Sequence, residues 1–396
     1  MSTFNPLRTQ RGSAVFAIAP LVAAAALALV GCKPAADSGA GPAPATIKVG
    51  EYASLTGSEA AFGQSSHKGT LLAIEEVNQA GGVLGKQIEL VTEDNQSKAG
   101  ESATIVKKFI SRDKVVAVLG EVASGRSLEA GPICQAAGIP MVSPSSTNPK
   151  VTQVGDCIFR VCFIDSFQGK LIADFAQKTL KAKRVAILFD VSQAYSVGLA
   201  EFFAQPFVGG GGEIIAKLNF TSADKDFRAQ LTNLKALNPD AICVPAYYGP
   251  VGLIVKQARE LGIMVPIFGG DGWEAPELIE LAGGEALKNT YYSTHFSPAQ
   301  DTPAAKKFVA AFKAKFNGEV PDAMAALGYD SALALIEAIK KAGSAESAKI
   351  KEALKTTDFT GATGRTLLDA NRDATKPAVI ITVENNAFKF LQTVEP

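Results

Sequence analysis

The chain has 396 residues, 47% of them apolar and 20% charged, so two domains with a large core are expected and a disordered chain is excluded. Lys and Arg number 39 and so do Asp and Glu, which leaves no basic face for nucleic acid. Two histidines, His67 and His295, and five cysteines without a Cys-x-x-Cys pair argue against a zinc centre, a redox motif or a histidine-dependent triad.

The first element is a leader. Arg8 and Arg11 precede an apolar, alanine-rich run from Ala14 to Val30 that contains Pro20 and ends in Leu29-Val30-Gly31-Cys32. A basic region, an apolar region and small terminal residues describe a secretory signal, too short for a membrane anchor. Residues 33–45 are rich in Ala, Gly, Pro and Ser and read as a flexible tether. Outside the cytoplasm the other four cysteines, Cys134, Cys157, Cys162 and Cys243, are permitted disulfides. Three of them lie in apolar runs, which favours packing as small hydrophobes.

Folded structure is expected from Thr46. Ile47–Gly50 reads as a strand, and Gly63–Ala80 as a helix with Leu71, Leu72, Ile74 and Val77 on one side. Strand Gln87–Val91, helix Gly100–Ser111 and strand Val115–Leu119 follow. Ser124 and Ser127 stand where the next helix starts. A short run at Ile139–Val142 then feeds Ser143, Ser145, Ser146 and Thr147. The alternation resumes with strand Ile158–Cys162, helix Gln168–Thr179, strand Arg184–Phe189 and helix Tyr195–Phe207. Gly209–Gly212 lacks the Lys-Ser/Thr of a phosphate loop and precedes a strand, so it reads as a turn. Strands Glu213–Leu218, Asp240–Val244 and Val265–Phe268 alternate with helices Phe227–Leu237 and Val251–Leu261. Helices are expected at Pro303–Phe316, Ala323–Ala342 and Ala345–Leu354, with late strands at Pro377–Val383 and Phe388–Leu391. Repeated strand–helix alternation predicts doubly wound parallel sheets, here in two units with a cleft between them.

In open α/β sheets ligands bind at the carboxyl ends of strands. The first unit delivers Ser124, Ser145 and Thr147 there, hydroxyls and a helix N-terminus suited to a carboxylate. The second unit delivers Tyr195, Tyr247, Asp271 and Trp273. Asp271 lies in Gly-Gly-Asp-Gly-Trp, whose glycines are expected to let the backbone approach a ligand. A carboxylate on that wall suits an ammonium, with aromatic rings covering the rest. The set fits a free α-amino acid. Each residue also has a plainer role open to it: helix cap, turn former or sheet core.

The residues from Thr46 to Val394 resemble the branched-chain amino-acid-binding proteins, the leucine/isoleucine/valine-binding family of type I periplasmic binding proteins that serve bacterial ABC importers. Carrying the resemblance are Ile47–Gly57 with Ala61-Phe62-Gly63-Gln64, Gly120–Ser127, Ser143–Pro149, Phe163–Gly169, Tyr195–Leu199, Asp240–Tyr248 and Gly269–Leu281. The resemblance implies two α/β lobes joined by three hinge crossovers, lobe 1 at 46–165 plus 296–372 and lobe 2 at 166–295 plus 373–396. It implies a carboxylate held by the Ser124 hydroxyl, the Ser145 N–H and the Thr147 hydroxyl and N–H, and an ammonium held by Asp271. Tyr195 and Tyr247 fall at aromatic wall positions, Phe62 at a first-loop position often tyrosine, and Met324 at a position touching the ligand side chain. A disulfide that some members carry is absent, since Asn95 and Ala123 occupy that region. Glu121 and Arg126 flank the carboxylate site. Leu-Val-Gly-Cys resembles a bacterial lipobox, which would make Cys32 the lipidated first residue of the mature protein, following a signal at 1–32 and preceding a tether at 33–45.

The expected function is therefore a monomeric, lipid-anchored, extracytoplasmic binding protein that delivers an amino acid to ABC permease subunits, with no cofactor, no metal and no nucleic acid. The alternatives are a binding protein or sensor for another small carboxylate, such as an amide or aromatic acid, and a hydrolase using Ser124 or Cys162. The latter needs an activating base, and Val-Ala-Ser-Gly-Arg is not a nucleophile elbow.

Overall fold

The structure, a computed structural model, describes residues 46–396. Cys32 and the leader and tether expected around it lie outside the described residues. The chain runs β1 (Ile47–Ala53), α1 (Ala60–Gln79), β2 (Ile88–Asp94), α2 (Glu101–Lys108), β3 (Ala117–Leu119), α3 (Ser124–Ala137), β4 (Met141–Ser143), α4 (Lys150–Gln153) and β5 (Ile158–Arg160). These strands form one parallel sheet in the order β2-β1-β3-β4-β5, with Val49 opposite Ala117 and Val118 opposite Met141.

The second unit runs α5 (Asp165–Lys178), β6 (Arg184–Asp190), α6 (Ala194–Gly209), β7 (Glu213–Phe220), α7 (Arg228–Ala236), β8 (Ala241–Cys243), α8 (Tyr248–Glu260), β9 (Ile267–Gly269), α9 (Glu277–Ala282) and β10 (Thr290–Thr294). Helices α10 (Pro303–Lys315), α11 (Ala323–Ala342) and α12 (Ser347–Leu354) follow, then the hairpin β11 (Asp358–Gly361) and β12 (Gly364–Leu367). Strands β13 (Ala378–Glu384) and β14 (Ala387–Val394) end the chain. The second sheet has the order β14-β13-β10-β9-β8-β6-β7, parallel from β7 to β10 and antiparallel from β10 to β14. The chain thus passes between the two sheets three times, after β5, after β10 and before β13. This is the doubly wound, two-lobed arrangement with three crossovers.

Runs such as Val185-Ala186-Ile187-Leu188 are fully buried because both faces of a parallel sheet carry helices. Helices α1 and α11 cover the first sheet and approach until backbones touch. A Cβ on Gly69 would lie 1.9 Å from the Ala325 carbonyl, and one on Gly328 would lie 2.1 Å from the Ser66 carbonyl. The two glycines are what permit the crossing.

Two differences from the sequence reading have local causes. The strand expected at Val115–Leu119 shortens to β3, because Phe109–Asp113 forms a π-helical turn and Lys114 adopts a left-handed φ of 57°. Strand β10, Thr-Tyr-Tyr-Ser-Thr, was not expected, since it has no aliphatic run. It is held by neighbours on both sides and by burial of four of its five residues. The glycine run ends α6 in a turn at Gly211, φ 88°, before β7, as the missing lysine suggested. Cys134, Cys157, Cys162 and Cys243 are all buried free thiols, packing as small hydrophobes.

Candidate functional site

Each sheet has a point where strand order reverses, between β1 and β3 in the first and between β6 and β8 in the second. Loops leaving on opposite sides of such a point open a crevice at the carboxyl ends. The residues singled out by sequence sit in or beside these loops. Phe62 follows β1, Ser124 follows β3, and Ser145 and Thr147 follow β4. Tyr195 follows β6, Tyr247 follows β8, and Asp271 and Trp273 follow β9.

On the first wall the hydroxyls divide into two groups. Ser143 and Ser146 both donate to the Glu121 carbonyl at 2.9 Å, and Ser127 lies 2.8 Å from the Ser146 hydroxyl. These serines knit the loops after β3 and β4 together and are structural. The Ser145 and Thr147 hydroxyls are buried and have no partner. Ser124 is the first residue of α3; its hydroxyl accepts from the Asn148 N–H at 3.2 Å and keeps its own proton for donation. Two orphan hydroxyls and a third facing the start of a helix form a donor surface for an anion. The Arg160 guanidinium, fully buried, underlies this loop: it donates to the Ser146 carbonyl and pairs with Asp373 at 2.6 Å.

On the second wall Tyr195 and Tyr247 stack face to face, centroids 5.1 Å apart and 9° from parallel. The Tyr195 hydroxyl accepts from the Gly272 N–H at 3.0 Å. The glycines around Asp271 leave space for aromatic neighbours. A Cβ on Gly270 would meet the Tyr195 hydroxyl at 2.6 Å, and one on Gly272 would meet the Tyr195 and Tyr247 rings at 2.8 and 2.9 Å. They make room for the two tyrosines. Asp271, 3% exposed, accepts from Gln168 Nε2 at 2.9 Å and lies 3.0 Å from His295 Nε2. Burial lowers the His295 pKa, so the imidazole is neutral near pH 7. Trp273 turns away into the sheet: its indole N–H donates to the Val244 carbonyl at 2.9 Å and its ring leans on Tyr292. It braces the wall from behind.

The two walls meet. Phe62 packs edge-on against Tyr247 and Tyr248, centroids 5.4 and 4.9 Å away, and the Ala61 N–H donates to the Tyr248 hydroxyl at 3.3 Å. Phe62, Val122, Ala123 and Met324 join the apolar cluster that forms the second lobe's core. Polar bridges flank this apolar contact. Asn148 Nδ2 donates to the Ala194 carbonyl at 2.9 Å, Gln193 Nε2 to Glu59 at 3.3 Å, and the Ala323 N–H to Glu274 at 3.3 Å. A pocket of about 330 Å³ lined by Glu59, Gln193, Tyr247 and Tyr248 opens at the rim.

Of the flanking charges, Glu121 is buried under the first wall, accepts from Asn95 and has its pKa raised to about 8 by burial and by Glu59. Arg126 points outward to Glu59, Glu129 and the Ser97 carbonyl. Residues that the sequence reading did not single out are Asn148, Asp165, Gln168, Gln193, Glu274 and His295. Gln168 and Asp165 belong to a matching stretch, but nothing local marks them as facing Asp271.

The loops at the carboxyl ends of the two sheets thus place unpartnered hydroxyls on one wall and a carboxylate with aromatic rings on the other. A profile described as periplasmic binding protein matches residues 46–387, and the chain belongs to that family. It is similar to a leucine-, isoleucine-, valine-, threonine- and alanine-binding protein of Pseudomonas aeruginosa, 30% identical over 83% of this chain and 87% of the relative. Among solved structures it is similar to a leucine binding protein, LivK, from Thermotoga maritima, at 44% identity and a TM-score of 0.85, covering 89% of this chain and 99% of that one. The branched-chain amino acid transporter substrate binding protein LivJ of Streptococcus pneumoniae, in complex with isoleucine, matches at 40% identity and a TM-score of 0.84, covering 89% and 100%.

Proposed function

We propose that this protein captures a free amino acid, branched-chain in the first instance, between its lobes and delivers it to the permease of an ABC importer. The observation that carries the reading is the opposition of orphan donors at Ser145 and Thr147 to the Asp271 carboxylate across an aromatic-lined contact. The similar proteins named for leucine, isoleucine and valine support the same ligand class. In this reading Ser124, Ser145 and Thr147 take the carboxylate, Asp271 the ammonium, and Phe62, Tyr195, Tyr247 and Met324 the side chain. Lobes of 46–165 plus 296–372 and 166–295 plus 373–396 hinge about the three crossings. Ligand bridges both walls only when they close, so it shifts the population toward the closed form that a permease would recognise. Cys32 is proposed to carry the lipid that holds the monomer to the extracytoplasmic face of a membrane.

Two observations support binding over hydrolysis. Ser124 has a backbone N–H, not a base, on its hydroxyl, and burial pushes the Cys162 thiol up to about 12. The test is a thermal-shift panel of amino acids, amides, aromatic acids and other small carboxylates. Bound ligand at a hundred times Kd adds about 2.7 kcal/mol of apparent stability. Leucine, isoleucine or valine should give the largest rise. A rise confined to carboxylic acids without an amino group would replace the amino acid by another small carboxylate.

A further inference from the structure

Of the polar bridges between the lobes, the one from Ala323 to Glu274 shares a turn with Asp271. Residues Asp271–Trp273 form a single 3-10 turn, and the Glu274 N–H closes it on the Asp271 carbonyl at 3.0 Å. The turn is pinned within the second lobe by the Trp273 indole on the Val244 carbonyl and by the Gly272 N–H on the Tyr195 hydroxyl. Asp271 and Glu274 therefore move as one piece.

The Glu274 side chain, 8% exposed, leaves this turn toward the other lobe, and its Oε1 accepts from the Ala323 N–H at 3.3 Å. Ala323 is the first residue of α11, and the opening N–H groups of a helix have no partner within it. Asp322, just before, takes the Ala325 N–H at 2.9 Å and is itself held by the Ser65 hydroxyl. The Ala323 N–H is left to the second lobe. Met324, next along, already lies in that lobe's apolar cluster. The start of a first-lobe helix is thus seated in the second lobe, and Glu274 fastens it there.

The second lobe does not satisfy this side chain by itself. Glu274 Oε2 and the Tyr292 and Thr294 hydroxyls of β10 are buried without partners. The two hydroxyls are close enough to favour the charged form a little, but they lie outside hydrogen-bond geometry. Burial, and after it the Asp322 charge, push the Glu274 carboxyl up to about 8. The neutral acid keeps an acceptor for the Ala323 N–H and does not repel Asp322. When the lobes part, the carboxyl and the Ala323 N–H each return to water.

Resting on the reading that an amino acid closes the lobes, we propose that Glu274 is a positioning residue for closure: it latches the start of α11 onto the turn that carries Asp271. The latch is made only in the closed form. Measured affinity is the affinity of the closed seat scaled by the population of that form, so the latch raises affinity for different side chains by one shared factor. It acts on release, because its bond breaks as the lobes open.

The experiment measures affinity by titration calorimetry and dissociation by stopped-flow fluorescence, with L-leucine, L-isoleucine and L-valine as probes. The signal is the chain's one tryptophan, Trp273, which lies in the latch turn. Glu274→Met keeps the volume and removes the acceptor, whereas Glu274→Gln keeps both. Loss of a side-chain acceptor at a helix start is worth about two- to thirtyfold in an equilibrium constant. Glu274→Met should weaken all three amino acids by one factor in that range, with faster dissociation, little change in association and a ligand-free Tm near wild type. Glu274→Gln should restore wild-type dissociation, which a side chain acting by bulk or charge would not predict. Glu274→Ala repeats the measurement if Glu274→Met does not fold. Unchanged dissociation in the acceptor-free variants overturns the proposal. So does a loss that differs from one amino acid to the next, which would place Glu274 against the ligand, and so does a Glu274→Gln as weak as Glu274→Met. Each of these leaves the amino-acid reading standing. A wild type that binds none of the three overturns that reading, and this proposal with it.

Discussion

Replacing Asp271 by asparagine removes the charge and keeps the volume. In the wild-type site each oxygen has one donor within 3.0 Å, Gln168 Nε2 and His295 Nε2, and neither donor carries a charge at neutral pH. The new amide can be accommodated, because Gln168 Oε1 and His295 Nδ1 are unpartnered and either group can turn to accept. The fold should therefore survive, with Tm close to wild type. The loss falls on the ligand. Truncating one partner of a buried, hydrogen-bonded charge pair costs roughly 2–5 kcal/mol, which at about 1.4 kcal/mol per decade is some thirtyfold to several thousandfold in Kd. The assay is titration calorimetry with L-leucine and with its deaminated acid, 4-methylpentanoate. Wild type should prefer leucine strongly, and Asp271→Asn should lose most of that preference. A wild type that binds both acids equally, or an Asp271→Asn variant within threefold of wild type for leucine, would refute the ammonium assignment.

Thr147→Val keeps shape and removes an orphan donor, and Ser124→Ala removes a second. A hydrogen bond to a charged group is worth about 1.5–3 kcal/mol, so calorimetry should read about a tenfold or larger loss for each, and unchanged affinity in both would move the carboxylate elsewhere. Gly69→Ala drives a methyl to 1.9 Å from a carbonyl that cannot retreat; overpacking should cost about 1–3 kcal/mol, seen as a lower midpoint in chemical denaturation. Burial raises Glu121, Asp165 and Glu274 each to about 8 in the folded chain, against about 4 when unfolded. The folded state therefore binds more protons between these values. Their contribution to stability is full below about pH 4 and is lost progressively as pH rises to about 8, at up to about 1.36 kcal/mol per pH unit for each group. Tm should fall from pH 5.5 to 8.5, less steeply in Glu274→Gln, and a flat profile would contradict the burial argument. Labelled palmitate fed to the expressing bacterium should mark wild type and not Cys32→Ala.

Much of this protein is written locally. Apolar runs such as Val115–Leu119 and Arg184–Phe189, spaced by helical periods, specify strands and helices without reference to the rest of the chain, because burial on both faces asks only for apolar residues. The strand ends then follow, and with them Ser124, Thr147, Tyr195, Tyr247 and Asp271. What the tertiary structure alone decides is the use of each polar atom. Ser143, Ser145 and Ser146 are indistinguishable as sequence. Two of them meet the Glu121 carbonyl and become structural, while the Ser145 hydroxyl meets nothing. The space that the glycines around Asp271 leave is taken by Tyr195 and Tyr247. Trp273 looks like a wall residue until the Val244 carbonyl claims its indole. Asp165, Gln168 and His295 acquire meaning only because α5 and the strand after α9 converge on the loop of β9. A strand's periodicity says which face is buried, but a hydrogen bond needs a partner within about 3 Å, and that partner is set by which loops the crossings bring together.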